Sequence, residues 1–533
     1  MNVLKVSEFP ATRPADSHAG WVSVATHSHM LRSGKSDFEA AKTNLLNWAE
    51  RQGIGAVGVG SPWEPVSAAR YRHYEQVERD LYFSGGVNPA EVMDRRPIGQ
   101  LICELNRRAA GKTLFFLDNE TPKNRHGHLW YLGFDYQVPA WHDYSQDHRV
   151  QFWDGDPCED PNHLTGGCHR RRSYLEVVAR QRVAGALAIW AHPTSWWRHA
   201  GAFITNIAAE LPLHLHADGT LDGVVVQGYD AFHRAYQALW FALLDLGATV
   251  PGFAELDACF DEAVIAAKGC FLNYIPNQPA QPCTISLVAE ARLGHQFVSS
   301  GPHLELHVDG QPMGSKLTVA EGQRLRVSLD AWPAPGENSL ARVELLGRGG
   351  AVLAFAENFS GGRVEFEVVC DREGGYLVGR AFGENDFPFD KPQQRVRHCA
   401  LTNPVYLRTP HSPHFVAATT DLNLQVAYDS KVCGATCRLC RANGVVFETL
   451  KLSTGNTRLQ VPADCHLKID LPDGTLREIP LAMANQRLRE HINYLSDGEF
   501  LNDYPELTPG EVPVAAFRLD QTREALQEQR LQL

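Results

Sequence analysis

The chain has 533 residues, 44% apolar and 21% charged, an ordinary globular composition that is too long for one core and predicts two to four domains. With 50 basic and 62 acidic residues the formal net charge is −12, which argues against nucleic acid or an anionic membrane as the main partner. The opening residues carry no basic-then-apolar leader, no uncharged apolar stretch approaches the ~18 residues that span a bilayer, and the 12 cysteines are scattered, so a cytoplasmic protein with reduced thiols is expected.

Six short apolar runs mark the first half: Trp21–Thr26, Ala56–Gly60, Leu114–Asp118, Ala186–Ala191, Gly223–Val226 and Ala248–Val250. Helical patterns fall between them. A capping box at Ser36 and Glu39 opens a helix carrying Leu45, Leu46 and Trp48 that stops near Gly53, and others read at Ile98–Ala110, Tyr174–Val183 and Phe232–Leu246. Strand–helix repetition implies a parallel sheet, and polar residues gathered at strand C-termini suit a (β/α) barrel over residues 1–290. Long excursions at Pro62–Pro97 and Asp135–Arg172 would wall a pocket.

After Gly301-Pro302 the pattern alternates, as in His303–Val308, Arg324–Leu329, Ala341–Leu346, Arg363–Val369 and Tyr376–Ala381, with turns at Asp309-Gly310 and Gly349-Gly350. That predicts an antiparallel β-sandwich over 291–410. A second β-rich segment covers 411–482, and 483–533 reads as a helical tail with a charged helix at Asp520–Leu531.

Four of the six runs lead into metal-ligand residues: His27 with His29, Glu120, His192 and Asp257. The two-residue spacing of His27 and His29 puts both imidazoles on one face of an extended chain. A lone H-x-H is weak, and His214-Leu-His216, in a polar loop, reads as solvated. Glu120 could bridge two cations, and Asp118 faces the same way, so either could be the ligand. Of His126 and His128, the latter lies nearer the return to apolar sequence. His192 precedes Pro193 at a strand end, where its bland alternative is a buried histidine bonded to a carbonyl. Asp257 could equally cap a helix.

This order resembles the polymerase-and-histidinol-phosphatase (PHP) family: H-x-H, then Glu120-Thr121 with Gly127-His128, then Ala191-His192-Pro193, then a late Asp257. It is closest to the CehA/McbA-like metallohydrolase branch. Gly294-His-Gln-Phe-Val-Ser-Ser-Gly-Pro302 with Val308-Asp-Gly310, and Leu401-Thr-Asn-Pro-Val-Tyr406, resemble that branch's junction into a β-sandwich and its closing strand. The likeness covers roughly residues 20–410.

The resemblance implies a distorted (β/α)7, TIM-like barrel holding a metal centre. His27, His29, Glu120 and Asp257 would take one cation, and Glu120, His128 and His192 a second. It implies hydrolysis of an ester, phosphoester, amide or carbamate by water activated on two divalent ions (zinc, manganese or iron), with Asp257 also able to take the water's proton. The chain departs from the family's third site, with Ser61-Pro62 for Asp-His, Cys259 for the late histidine and Lys35 for a polar residue downstream of H-x-H. The expectation is therefore a binuclear centre, with Lys35 holding a substrate anion or else solvated. The alternative is a degenerate, non-catalytic ligand-binding protein whose sandwiches are interaction modules.

Three other groupings stand out. Cys433, Cys437 and Cys440 have cluster-like spacing but read as strand thiols. Cys158, His163, Cys168 and His169 are irregularly spaced for a zinc site. Trp63, Trp141, Trp190, Trp196 and Trp197 would line a pocket or pack the core.

Overall fold

The structure, a computed structural model, describes residues 1–11, 18–29, 38–60, 95–120, 129–133, 185–192, 196–199, 202–205, 221–228, 233–260, 271–276, 283–387, 396–413, 419–428, 430–440, 446–462, 466–480, 486–491, 518–523 and 529–532. In chain order the first half comprises β1 (Asn2–Pro10), β2 (Trp21–Ala25), β3 (Ser28–His29), a helix at Phe38–Gln52, β4 (Ala56–Val59), a helix at Arg95–Ala109, β5 (Leu114–Glu120), β6 (Leu129–Leu132), β7 (Leu187–Trp190), β8 (Trp196–His199), β9 (Ala202–Thr205), β10 (Gly223–Gln227), a helix at His233–Asp245, β11 (Gly252–Ala254), β12 (Ala258–Cys259), β13 (Leu272–Pro276), a helix at Thr284–Leu293 and β14 (Phe297–Ser299). The helix Phe38–Gln52 buries Ala41, Leu45, Trp48 and Ala49, one stripe at helical spacing, in the core cluster that also holds Leu101 and Leu105 of the next helix.

The expected (β/α)7 TIM-like barrel is corrected by this topology. The sheet runs β11-β10-β7-β6-β5-β4-β2-β13-β14 and then passes directly into the strands of the following sandwich. Among the described residues, parallel pairing along this run from β11 to β14 is confined to β2 with β4, β4 with β5, β10 with β7 and β10 with β11. The run Leu129–Leu132 forms β6, wedged antiparallel between β5 and β7, and β13 lies antiparallel to β2. Among the described residues the chain is predominantly strand, with four α-helices.

Among the described residues no backbone ladder joins β11 to β13. Side-chain amides do that work instead. Asn273 accepts from the Ala254 N–H at 2.8 Å and donates to the Ala254 carbonyl at 2.9 Å. Asn403 accepts from the Gly252 N–H at 2.6 Å and donates to the Gln296 carbonyl at 3.0 Å. Beyond them the chain zips briefly, with Leu256 N–H on the Thr26 carbonyl at 2.9 Å and β12 parallel to β3.

The sandwich follows as β15 (His303–Val308), β16 (Gln311–Pro312), β17 (Lys316–Thr318), β18 (Arg324–Trp332), β19 (Leu340–Leu346), β20 (Val352–Phe359), β21 (Gly362–Val369), β22 (Gly375–Phe387), β23 (Val396–Thr402) and β24 (Val405–Arg408). One sheet is β1-β21-β18-β15-β16, so the N-terminal strand belongs to it, and the other is the continuation β14-β23-β22-β19-β20. Leu325, Val327, Leu329 and Ala331 of β18 alternate inward and share one core cluster with Val343 and Leu345.

In the C-terminal part, Thr419–Val426 pairs with Gly455–Pro462 and Gln529–Gln532, and a four-stranded sheet holds Val446–Lys451, Thr436–Cys440, His466–Asp470 and Leu476–Pro480. The stretch Asp520–Leu531, expected as a charged helix, overlaps the strands Arg518–Arg523 and Gln529–Gln532. Among the described residues no helix is long and apolar enough to cross a membrane.

Candidate metal centre

His27 leaves β2, His192 leaves β7 and Asp257 leaves β11, so three separate strand ends deliver one side chain each. Each of the three has a left-handed backbone, with φ of 57° at His27, 23° at His192 and 40° at Asp257. Such conformations cost a non-glycine residue about 1–3 kcal/mol and persist where the surroundings over-determine them, often at functional sites.

The ligand atoms of His27, His192 and Asp257 lie within 4.8 Å of one another. The two oxygens of Asp257 divide between the imidazoles, Oδ1 at 3.7 Å from His27 Nε2 and Oδ2 at 3.8 Å from His192 Nε2. The rings stack with centroids 5.5 Å apart. The His27 and His192 side chains are 1% and 4% exposed, whereas Asp257 is 17% exposed, so the group opens to solvent on the aspartate's side.

Two buried carboxylates lie behind these ligands. Asp118 Oδ2 accepts the His27 backbone N–H at 2.7 Å. Glu255 Oε2 is 2.9 Å from His27 Nδ1, and both Glu255 oxygens lie 3.2–3.3 Å from the His192 backbone N–H. Burial pushes the Glu255 carboxyl above its ordinary range, with the charge of His192 and the hydrogen bond to His27 pulling the other way. Ser28 donates its hydroxyl to the Gly58 carbonyl, and Thr26 donates to the Ala254 carbonyl at 2.8 Å, anchoring the turn that presents His27.

This donor set fits a divalent cation. Ligand bonds of ~2.0–2.2 Å place neighbouring donors about 3–4 Å apart, the separation that Asp257 keeps from each imidazole. Two imidazoles and a carboxylate suit zinc, manganese or iron equally.

Of the residues singled out in the sequence, the structure therefore brings together His27, His192 and Asp257. His29 lies in β3 opposite Cys259 of β12, and Glu120 ends β5 opposite Trp130; the side chains of His29, Glu120 and Cys259 lie outside the described residues. Lys35 and His128, with the second cation expected at Glu120 and His128, lie outside them too, as do His214, His216 and the Cys158–His169 group. Asp118, weighed as a bridging ligand, sits instead beneath the His27 backbone. Trp190 is fully buried in the core. Cys437 and Cys440 are buried on one strand, and burial pushes the Cys437 thiol up to about 12, which keeps it protonated. Glu255 was not anticipated. Its sequence cue was a carboxylate following the buried triplet Gly252–Ala254, where an apolar residue would otherwise continue the strand.

No protein-family model matches the chain, and no curated protein matches it. Among solved structures, BcpA, the major pilin subunit of Bacillus cereus, aligns with a TM-score of 0.14 and 13% identity over 34% of this chain and 65% of that one, so the chain spans just under two thirds of that pilin. A C-terminal fragment of the major pilin GBS80 of Streptococcus agalactiae aligns with a TM-score of 0.14 and 9% identity over 43% of this chain and 99% of that one. An engineered protein aligns over 69% of this chain and 80% of its own length, with a TM-score of 0.17 and 12% identity. Likenesses at this level carry no argument for a shared fold or function.

Proposed function

We propose that His27, His192 and Asp257 hold a divalent cation and that the protein is a metal-dependent hydrolase of an ester, phosphoester, amide or carbamate in a small molecule. The observation that carries this reading is the convergence of three ligand atoms within 4.8 Å from three strand ends, each on a left-handed backbone. The ordered sequence likeness to PHP-type metallohydrolases supports the same reaction class. When bound, the cation would polarise the scissile carbonyl or phosphoryl oxygen and acidify a water. The chain's own residues supply the rest. His27 and His192 close the inner side of the site to solvent. Asp257, the most exposed of the three, is the group able to accept a proton from water. Asp118 and Glu255 hold the ligand-bearing backbone from behind. Among the described residues seven cysteines are free, four of them buried, which supports a reducing, cytoplasmic setting.

The test is elemental analysis of the full chain after metal-supplemented expression, followed by turnover assays on nitrophenyl phosphate, a phosphodiester, an acetate ester and carbamates. At least one equivalent of metal is expected in the wild type and its loss in His27→Ala and Asp257→Ala. Absence of metal, or full occupancy in both variants, would overturn the reading. Stoichiometric metal with no turnover of any of these substrates would replace the hydrolase with a ligand-binding protein.

A further inference from the structure

Glu255 has a fully buried side chain, and the contacts it makes go to the two histidines of the cluster. The contact at 2.9 Å turns His27 Nδ1 onto the Glu255 carboxyl and leaves Nε2 as the nitrogen that faces Asp257. The same carboxylate takes the His192 backbone N–H, at a residue whose φ of 23° lies far from any relaxed well. Both Glu255 oxygens share this N–H, at 3.2 and 3.3 Å, so the contact opposes relaxation of the left-handed turn.

We propose that Glu255 is the positioning residue of the centre, fixing both imidazole ligands at once, His27 through its ring and His192 through its backbone. It is held in register by its own N–H on the Gln227 carbonyl at 3.0 Å, which ties it to β10. Partners of this kind set the tautomer and orientation of a ligating histidine, and their removal costs about 10–100-fold in metal affinity. This inference rests on the metal-binding reading of His27, His192 and Asp257.

The experiment is a cobalt(II) titration of the full-length protein, read both as affinity and as the visible ligand-field spectrum. It compares wild type, Glu255→Gln, Glu255→Ala, His27→Ala and Asp257→Ala, each checked for folding by circular dichroism. Glu255→Ala should bind cobalt about 10–100-fold more weakly. Glu255→Gln, isosteric but uncharged and with one acceptor for two N–H donors, should lose at least fivefold and show an altered spectrum. A purely structural role would lower the melting temperature of the metal-free protein and leave spectrum and affinity unchanged. If folded Glu255→Gln binds within threefold of wild type with the same spectrum while His27→Ala and Asp257→Ala lose binding, the positioning role is refuted and the metal site stands. If His27→Ala and Asp257→Ala also bind as wild type, the metal-site reading itself has failed.

Discussion

Gly58 and Asp118 compete for one space: a β-carbon on Gly58 would lie 2.3 Å from Asp118 Oδ2 and 2.6 Å from Asp118 Cβ. The absent side chain on β4 is what lets the neighbouring strand's carboxylate reach the backbone of His27. Gly58→Ala should push Asp118 off that N–H, destabilise the fold by about 1–3 kcal/mol through overpacking, and weaken cobalt binding. Urea denaturation and metal titration would show both effects. A variant with wild-type midpoint and affinity would mean that Asp118 does not hold the His27 turn.

Asn273 substitutes for a missing strand ladder. Replacing it with leucine keeps the volume but leaves the buried Ala254 N–H without its acceptor and the Ala254 carbonyl with only the Thr26 hydroxyl. Each unsatisfied buried group costs ~1–3 kcal/mol, so the melting temperature of Asn273→Leu should fall by many degrees. An unchanged melting curve would place little stability in the contact between β11 and β13.

Glu305, on β15 of the sandwich, gives a pH dependence separate from the candidate cluster of His27, His192 and Asp257. Burial raises its pKa, but the hydrogen bond with His303 at 2.7 Å, the charges of His303 and His307, and the Trp21 indole N–H at 3.1 Å outweigh it, so the carboxyl sits below its ordinary 4.5. A group with a depressed folded pKa contributes stability above the unfolded pKa and loses it as pH falls through the folded value. Glu305→Gln should therefore be less stable than wild type by about 1–2 kcal/mol near neutral pH, with the difference shrinking from about pH 4.5 downward. Denaturation midpoints across that range check it. A constant gap would assign the effect to packing alone.

A chain ending at residue 290 should be insoluble or unfolded. It lacks β14, which pairs with β13 on one side and β23 on the other, and it lacks Asn403, which satisfies Gly252. A folded, monodisperse fragment would contradict this.

Five of the six apolar runs became strands, while the sixth, Ala248–Val250, lies just before β11, and the convergence of His27, His192 and Asp257 was legible because buried strands write themselves as continuous apolar runs with polar residues after their ends. The sheet's wiring was not. Leu129–Leu132 is a four-residue run buried on both faces, with no periodicity to announce direction. Its antiparallel insertion breaks the strand–helix alternation that suggested a barrel. Glu255 escaped notice because a glutamate beside a strand end normally faces water, and only tertiary packing turns it toward His27 and His192. The final segment, polar and rich in helix-forming residues, pairs as strands with partners distant in sequence, a choice local propensity cannot register.

The unbroken run of backbone bonds from β2 through β13, β14 and β23 to β22 has a mechanical meaning. Two bodies that share a sheet cannot swing apart like a clamshell, because bending there would tear a row of bonds rather than flex a joint. The frame behind His27, His192 and Asp257 therefore stays still, and whatever reaches the exposed side of Asp257 meets a rigid cradle.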